Sequence, residues 1–179
     1  MAFGGGVEGQ SPGTGVWAMT DLGLELILFA GDDAPGADGA DWRSALALTH
    51  NGPQSGDVAF QGILEIDNDP DSGVWSRSGG ALGVCIRQGF PAAGTPGHPH
   101  STFFSHTVQN TSGDVAMRGF TLTGGMVSRS GIWRLSDGVV DLVAYSDQTA
   151  AGTNGGVFSQ FSRLPLMNAS GDVTFGGRL

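Results

Sequence analysis

Short apolar runs, separated by polar and glycine-rich segments, recur along the whole chain. In its middle part they cover residues 58–66, 74–77, 82–87 and 102–108. They are rich in Val, Ile, Phe and Trp and are bounded by Gly, Pro, Asn, Asp and Ser, as strands and turns typically are. No segment keeps a 3.6-residue apolar period, so the pattern predicts an all-β protein with almost no helix.

Three motifs repeat in the same order at a period of about 58 residues. The first, Gly-Val-Trp or Gly-Ile-Trp, ends at Trp17, Trp75 and Trp133. The second, Gly-Asp-Val, begins at Gly56, Gly113 and Gly171. The third is a turn rich in Ala and Gly at 34–36, 93–97 and 151–155. We therefore predict one repeat domain over 1–179, with units at 1–57, 58–114 and 115–172, and with 173–179 as a fourth copy of the first strand.

Each predicted unit holds about four strands joined by short turns, which favours antiparallel pairing as a meander. Repeated four-stranded meanders of this length are typical of propeller blades. A β-trefoil or a β-prism is the alternative, since a trefoil also has three units of four strands. In the propeller, the repeated tryptophans are expected to pack between neighbouring blades.

The repeated motif also resembles a known family. The pattern Asn-x-x-Gly-Asp-Val-Ala-Phe, followed by Gly-Val-Trp, is similar to the tandem NxxGxxAF repeat of bacterial surface proteins of the choice-of-anchor kind. The similarity is clearest at Asn110, Gly113, Ala116, Asn168, Gly171 and Phe175. The resemblance covers essentially the whole chain, and it implies a secreted or cell-surface array of propeller-like repeats without transferable catalytic residues.

Composition and charge exclude several classes of protein. The 179 residues include 32 glycines, which the repeated turns explain, and the formal net charge is −9. An acidic surface repels phosphate backbones, so nucleic-acid binding is not expected. No apolar stretch approaches the ~20 residues of a membrane span. The single cysteine, Cys85, rules out an intramolecular disulfide framework and is expected to be a small buried apolar residue. The N-terminus lacks the features of a signal peptide.

The number of units predicts self-association. A ring of three four-stranded blades is unusually tight, because propellers commonly have four to eight. Two chains of three units would supply six blades, so we expect a homo-oligomer, with a dimer favoured. The duplicated end strand could complete a sheet of another chain, and such pairing would also protect exposed sheet edges.

An acidic turn is the candidate metal site. Asp67, Asp69 and Asp71 alternate along the chain, and three carboxylates at this spacing can converge on calcium when the backbone turns. Calcium is the one cofactor that the sequence indicates. The alternative interpretation is a solvated acidic turn.

Four further residues are candidates for ligand binding. His98 and His100 are separated by one residue and could ligate a metal if a third ligand were near, although an exposed Pro-rich loop is the alternative. Trp42 belongs to none of the three motifs, and the histidine pair has no counterpart in the corresponding loops. Trp42 beside Asp41 is therefore the candidate for stacking on a carbohydrate.

Three functional hypotheses remain open. The leading one is a non-enzymatic structural or interaction module that assembles by blade or edge-strand complementation. The second is a propeller or lectin-like module that binds a carbohydrate or another ligand. The third is a hydrolase with its active centre at a channel mouth, which requires a clustered acid–base pair.

Overall fold

The computed structural model describes residues 2–7, 13–50, 56–66, 69–101, 105–161 and 164–179. These residues form strands, turns and irregular segments and contain no helix, so the prediction of an all-β protein is confirmed. Accordingly, the described part of the chain holds no helix that is long and apolar enough to cross a membrane.

The strands vary from two to eleven residues in length. In chain order they are β1 (Ala2–Val7), β2 (Gly13–Thr20), β3 (Gly23–Phe29), β4 (Asp41–His50), β5 (Val58–Ile66), β6 (Asp69–Ser78), β7 (Ala81–Arg87), β8 (Ser105–Gln109), β9 (Val115–Thr123), β10 (Met126–Ser136), β11 (Val139–Tyr145), β12 (Gln160–Phe161), β13 (Leu166–Met167), β14 (Val173–Thr174) and β15 (Gly177–Arg178).

The strands pair in three larger antiparallel sheets and two short hairpin-like pairs. The first sheet has the order β1-β2-β3, the second β4-β5-β6-β7 and the third β11-β10-β9-β8. The C-terminal pairs are β12-β15 and β13-β14. Consecutive strands are therefore neighbours throughout the larger sheets, as the short connections between them require.

The sheets are offset from the sequence units. The run predicted at 102–108 overlaps β8, which pairs with β9 and therefore belongs to the third sheet. In the same way β4 pairs with β5 in the second sheet. Each of these sheets thus takes its first strand from the end of the preceding unit.

A β-bulge lies directly before the tryptophan in each larger sheet. The register shifts between Val16 and Trp17, between Val74 and Trp75, and between Ile132 and Trp133. A bulge bends its strand and redirects the following side chain. The indole then folds back over the glycine two residues earlier: a methyl group at Gly131 would lie 2.5 Å from Trp133. This close approach explains why a glycine precedes each tryptophan.

The core lies between successive sheets. The first cluster joins the first and second sheets and includes Val16, Leu28, Phe60 and Trp75. The second cluster joins the second and third sheets and includes Ala59, Val74, Met117 and Trp133. The third cluster, with Ile132 and Phe161, joins the third sheet to the C-terminal strands. Neighbouring residues of one strand thus face opposite clusters, as strand geometry requires, and the second and third sheets are buried on both faces.

The expected packing role of the repeated tryptophans is confirmed for two of the three. Trp75 and Trp133 are completely buried, with no exposed surface. Each indole N–H donates a hydrogen bond of 3.0 Å to a carbonyl of the preceding connection, at Pro35 for Trp75 and at Ala93 for Trp133. Trp17, in the first sheet, is only partly buried.

Candidate functional site

The acidic turn predicted to bind calcium is described only in part. Asp67 lies outside the described residues, whereas Asp69 and Asp71 stand at the start of β6. Asp69 is exposed, but the Asp71 carboxylate accepts a 2.7 Å hydrogen bond from Arg87 Nε and a 2.6 Å bond from the Ser72 amide. Within the described residues, no three His, Cys, Asp or Glu side chains are grouped to hold a metal ion. Calcium binding therefore stays a prediction.

Trp42 lies in the core, with 2% of its surface exposed. Its ring packs edge-on against Trp75, with the centroids 4.6 Å apart, and lies 5.7 Å from the ring of Phe60. The indole thus packs as an interior side chain and presents no open face for a sugar. Its neighbour Asp41 is exposed and begins β4.

His100 has the same surroundings as Trp42, one sheet further along the chain. It is 1% exposed, and its ring packs edge-on against Trp133 with the centroids 4.9 Å apart. The interplanar angle is 69° in both pairs. The residue that faces the buried tryptophan is therefore indole in one interface and imidazole in the next.

Backbone hydrogen bonds show why Trp42 and His100 have equivalent surroundings. After β3, the Trp42 carbonyl accepts from the Gly31 amide at 2.7 Å, and after β7, the His100 carbonyl accepts from the Gly89 amide at 2.9 Å. After β11, the Phe158 carbonyl accepts from the Asp147 amide at 2.7 Å. We call the side chains of Trp42, His100 and Phe158 the connection rings, because each lies at the end of the connection that follows the last strand of a sheet; Trp42 is already the second residue of β4.

This equivalence corrects part of the sequence interpretation. Trp42 was expected to stand outside the repeated pattern, and the His98–His100 pair was expected to have no counterpart in the corresponding loops. The structure places Trp42 and His100 at one repeated backbone position, where the residue type varies while the backbone conformation does not. Phe158 is the third ring at that position, and it packs 5.9 Å from Phe175.

The environment of His100 keeps its imidazole neutral. Burial between the sheets lowers the pKa of His100 from 6.5 to about 4, because the charged form would lose its hydration there. The ring therefore acts at neutral pH as an aromatic packing group, with no positive charge to offset in the interface.

His98 makes a different set of contacts. It is partly buried, and its Nδ1 lies 3.1 Å from both the Leu122 carbonyl oxygen and the Thr123 hydroxyl oxygen. These contacts fix the connection after β7 to the end of β9. The two histidines are thus placed by different partners, His98 by polar atoms of β9 and His100 by the ring of Trp133.

A cleft opens beside β7, between the second and third sheets. Its volume is about 240 Å³, and most of its wall is apolar. The lining residues include Val84, Cys85, Arg87, Phe90, His100 and Val140. The guanidinium of Arg87 is held by Asp71 and lies 5.6 Å from the ring centroid of Phe90. The cleft thus combines apolar walls with one paired cation.

Cys85 contributes a thiol to this cleft. Burial raises the pKa of the Cys85 thiol from 9.0 to about 11, while a hydrogen bond with Ser76 acts in the opposite direction. The thiol is therefore protonated at neutral pH, and a protonated thiol is a poor nucleophile. This arrangement agrees with a packing role for Cys85.

Two polar networks that join the sheets were not foreseen from the sequence. Arg77, 8% exposed, donates to both carboxylate oxygens of Glu25 at 2.9 Å, which links β6 to β3. The Asn110 side chain accepts from the amides of Ser112 and Asp114, each at 2.9 Å, and donates to the Asn168 carbonyl at 3.2 Å. The repeated asparagine signals the second network, whereas the first joins residues 52 positions apart with no local signal.

Comparison with known proteins gives one match. A family model described as "Family of unknown function (DUF7453)" matches residues 1–179, which is the whole chain. No curated protein matches the chain, and no solved structure matches it.

Proposed function

We propose that this chain, which belongs to the DUF7453 family of unknown function, is a non-enzymatic structural and interaction module built from propeller-like blades. In this proposal each larger sheet is one blade, and the blades associate through their faces and edges. The expected setting is extracellular or at the cell surface, as the resemblance to surface-protein repeats implies.

The observation that carries the proposal is the repeated contact between a connection ring and the tryptophan of the next sheet. Trp42 meets Trp75 and His100 meets Trp133 with nearly equal separation and the same interplanar angle. Buried edge-on aromatic pairs add about 0.5–1.5 kcal/mol beyond the area that they bury. Trp42 and Trp75 both belong to the second sheet, and both lie in the core cluster that this sheet shares with the first sheet. An aromatic contact that recurs at the faces between sheets suits a protein whose role is to build a rigid array.

Contacts between strands support the blade-like arrangement. The first strands of successive sheets, β4 and β8, contact each other, and β4 also contacts β1 and β2. The last strands instead carry exposed apolar side chains, such as Leu24 in β3 and Val143 in β11. Contacts between the first strands of successive sheets support the proposal of propeller-like blades, because such blades repeat around a common axis.

The candidate binding residues also support a structural role. Trp42 and His100 are buried against aromatic rings, His98 is held by β9, and Asp71 is paired with Arg87. Each of these side chains already has a stabilising contact within the protein. Their presence in the sequence is therefore explained by packing and by hydrogen bonding.

The test is a combined screen of the purified protein against a glycan array and a panel of hydrolase substrates, with and without calcium. The variants His98→Ala and Asp69→Ala are the controls, because both positions are at least partly accessible. We expect neither saturable glycan binding nor turnover. Binding or turnover by the wild-type protein that either variant abolishes would overturn the proposal.

A second candidate function is the binding of a small apolar ligand in the cleft beside β7. The observation that favours it is the cleft volume of about 240 Å³ together with its apolar wall. Apolar pockets with few polar groups are typical of ligand sites. A thermal-shift screen of small aromatic compounds tests this function, and Val140→Trp should cancel any positive shift by filling the cleft.

A further inference from the structure

We propose that the groove along β7 binds an extended segment of another polypeptide, which adds to the second sheet as a fifth strand. The segment has apolar residues in its middle and lysine or arginine at both ends. The inference rests on the proposed interaction role, and it specifies the surface and the chemistry of the partner.

Two cavities follow one another along β7 and form the groove. The cleft of about 240 Å³ adjoins a second cavity of about 250 Å³, and both are lined by Val84, Cys85 and Val140. The second cavity extends to Ala81 and to Gly138, in the turn that joins β10 and β11. At roughly 3.3 Å per residue, the seven residues of β7 span about 23 Å. We call this space, between β7 and the β10–β11 hairpin, the β7 groove.

The outer edge of β7 has no strand beside it in the described part of the chain. β7 is last in its sheet and pairs with β6 alone. A two-residue turn at 79–80 joins β6 to β7, so Ser78 and Ala81 form a hydrogen-bonded pair. In an antiparallel ladder such pairs alternate with pairs whose N–H and C=O groups point outward. Leu82 and Val84 therefore direct these main-chain groups towards the free edge.

The edge of β7 differs from the other last strands of the larger sheets in its lack of charge. Charged side chains within an edge strand hinder the addition of another strand. β3 carries Glu25 and β11 carries Asp141 in the interior of the strand, whereas residues 81–86 of β7 are uncharged. Gly83 leaves further room in the middle of β7, because a methyl group there would meet no described atom within 4 Å.

The walls of the groove suit side chains on both faces of an added strand. Leu135 and Val140 of the third sheet form one wall. On the other face of β7, Gly36, in the connection after β3, lies against Val84. The side chains of an added strand alternate between these two faces. Apolar side chains in the middle of the segment would thus contact apolar walls, while its main chain pairs with β7.

Charges at the two ends of the groove determine which residues suit the ends of the segment. At one end, Arg87 lies between Asp71, at 2.7 Å, and Asp38, at 3.8 Å, so two carboxylates face one guanidinium. The Asp38 side chain is 91% exposed. At the other end, Asp137 is exposed in the β10–β11 turn, next to the lining residue Gly138. A segment with a basic residue at each end is therefore complementary to the groove.

Fluorescence anisotropy with a labelled heptapeptide tests the binding. The probe has three valines at alternate positions, threonines between them and a lysine at each end. It should bind the protein saturably, and the same peptide with glutamate at both ends should bind about tenfold more weakly. High salt should reduce this difference, because exposed charges are screened. Absence of saturable binding by the wild-type protein, or equal affinity for the two peptides, would overturn the proposal.

Two further peptides, methylated on alternate main-chain nitrogens, test whether the segment pairs with β7. One is methylated at the valines and the other at the remaining residues. Only one of these two sets of amides can face β7, so the peptide that is methylated there should bind about tenfold more weakly than the other. Equal affinities would show that no strand is added to the sheet.

Variants of the protein test whether the probe lies in the groove. Val140→Trp fills both cavities and should abolish binding, whereas Val139→Trp, at the adjacent residue that is 58% exposed, should preserve it. Asp38→Asn combined with Asp137→Asn should weaken binding severalfold without altering the core, since both positions have positive φ, which asparagine tolerates. Asp21→Asn, in the exposed β2–β3 turn, is the matched control and should bind as the wild-type protein does.

Circular dichroism confirms that each variant is folded. Undiminished binding by both Val140→Trp and the double asparagine variant would place the probe elsewhere and refute the groove as its site. A protein that binds none of the peptides could still be a structural module. The structural role fails only if the glycan and hydrolase screen is positive, so the two failures are distinguishable.

Discussion

Replacing His100 by phenylalanine should make the stability of the protein much less dependent on pH between neutral pH and about pH 4. His100 is buried against Trp133, and its pKa is lowered from 6.5 to about 4. Phenylalanine suits the site because Phe158 occupies the equivalent position in the third connection. The substitution therefore removes the titrating group and keeps an aromatic ring in the interface.

The sign follows from proton binding in the two states. As the pH falls below 6.5, the imidazole of the unfolded chain takes up a proton, whereas the folded protein does so only near pH 4. The unfolded state then binds more protons, so the free energy of unfolding decreases with falling pH. The stability is fully present above pH 6.5 and is lost by about pH 4. The interval between the two pKa values corresponds to about 3 kcal/mol.

Urea unfolding followed by tryptophan fluorescence, at neutral pH and near pH 4, measures the effect. Both proteins carry the same 17 acidic residues, so the difference between their pH profiles isolates His100. Trp42→Phe is the matched control, because it alters the ring at the equivalent backbone position without adding or removing a titrating group, so it should change the stability equally at both pH values. If His100→Phe lost as much stability as the wild-type protein on acidification, the assignment of a buried neutral imidazole would be refuted.

Three substitutions and one chemical modification test the packing. Gly62→Ala should destabilise the protein by about 1–3 kcal/mol, because its methyl group would lie 2.2 Å from Trp42. Gly83→Ala should change the free energy of unfolding by no more than about 0.5 kcal/mol, because no atom lies within 4 Å of its methyl group. Equal urea midpoints for the two variants would contradict this prediction. Trp42→Ala should cost roughly 3–5 kcal/mol by opening a cavity beside Trp75, and an unchanged thermal midpoint would show that the ring is not a core residue. Alkylation of the partly buried Cys85 by iodoacetamide should be about 100-fold slower in native protein than in urea, because its pKa is raised from 9.0 to about 11. Comparable rates, measured by mass spectrometry, would exclude the raised pKa.

Local pattern was sufficient for the strands and for much of the core. The predicted run 58–66 coincides with β5, and Trp75 and Trp133 are buried as expected. The offset between sheets and units could not be predicted, because the pairing of β8 with β9 is decided by contacts that the pattern of one strand does not encode. A strand has the same alternation whichever sheet it joins.

The connection rings show why the candidate site was harder to predict than the fold. Trp42, His100 and Phe158 share a backbone position but differ in residue type, so no motif aligns them. Their equivalence is carried by hydrogen bonds of the main chain, which any residue type can make. The sequence pattern therefore suggests a ligand for Trp42 and His100, although each ring packs against a buried tryptophan.

The order of the strands in the sheets determines how the chain folds. Every pairing in the larger sheets joins consecutive strands, so the chain forms its contacts locally and gains each sheet without closing a long loop. Each sheet packs only against its neighbouring sheets or strands. Its stability therefore depends on the one or two interfaces that it shares with them, as in a one-dimensional cooperative array. The second and third sheets, bounded on both sides, are then the most protected against local opening, and unfolding proceeds inward from the two ends.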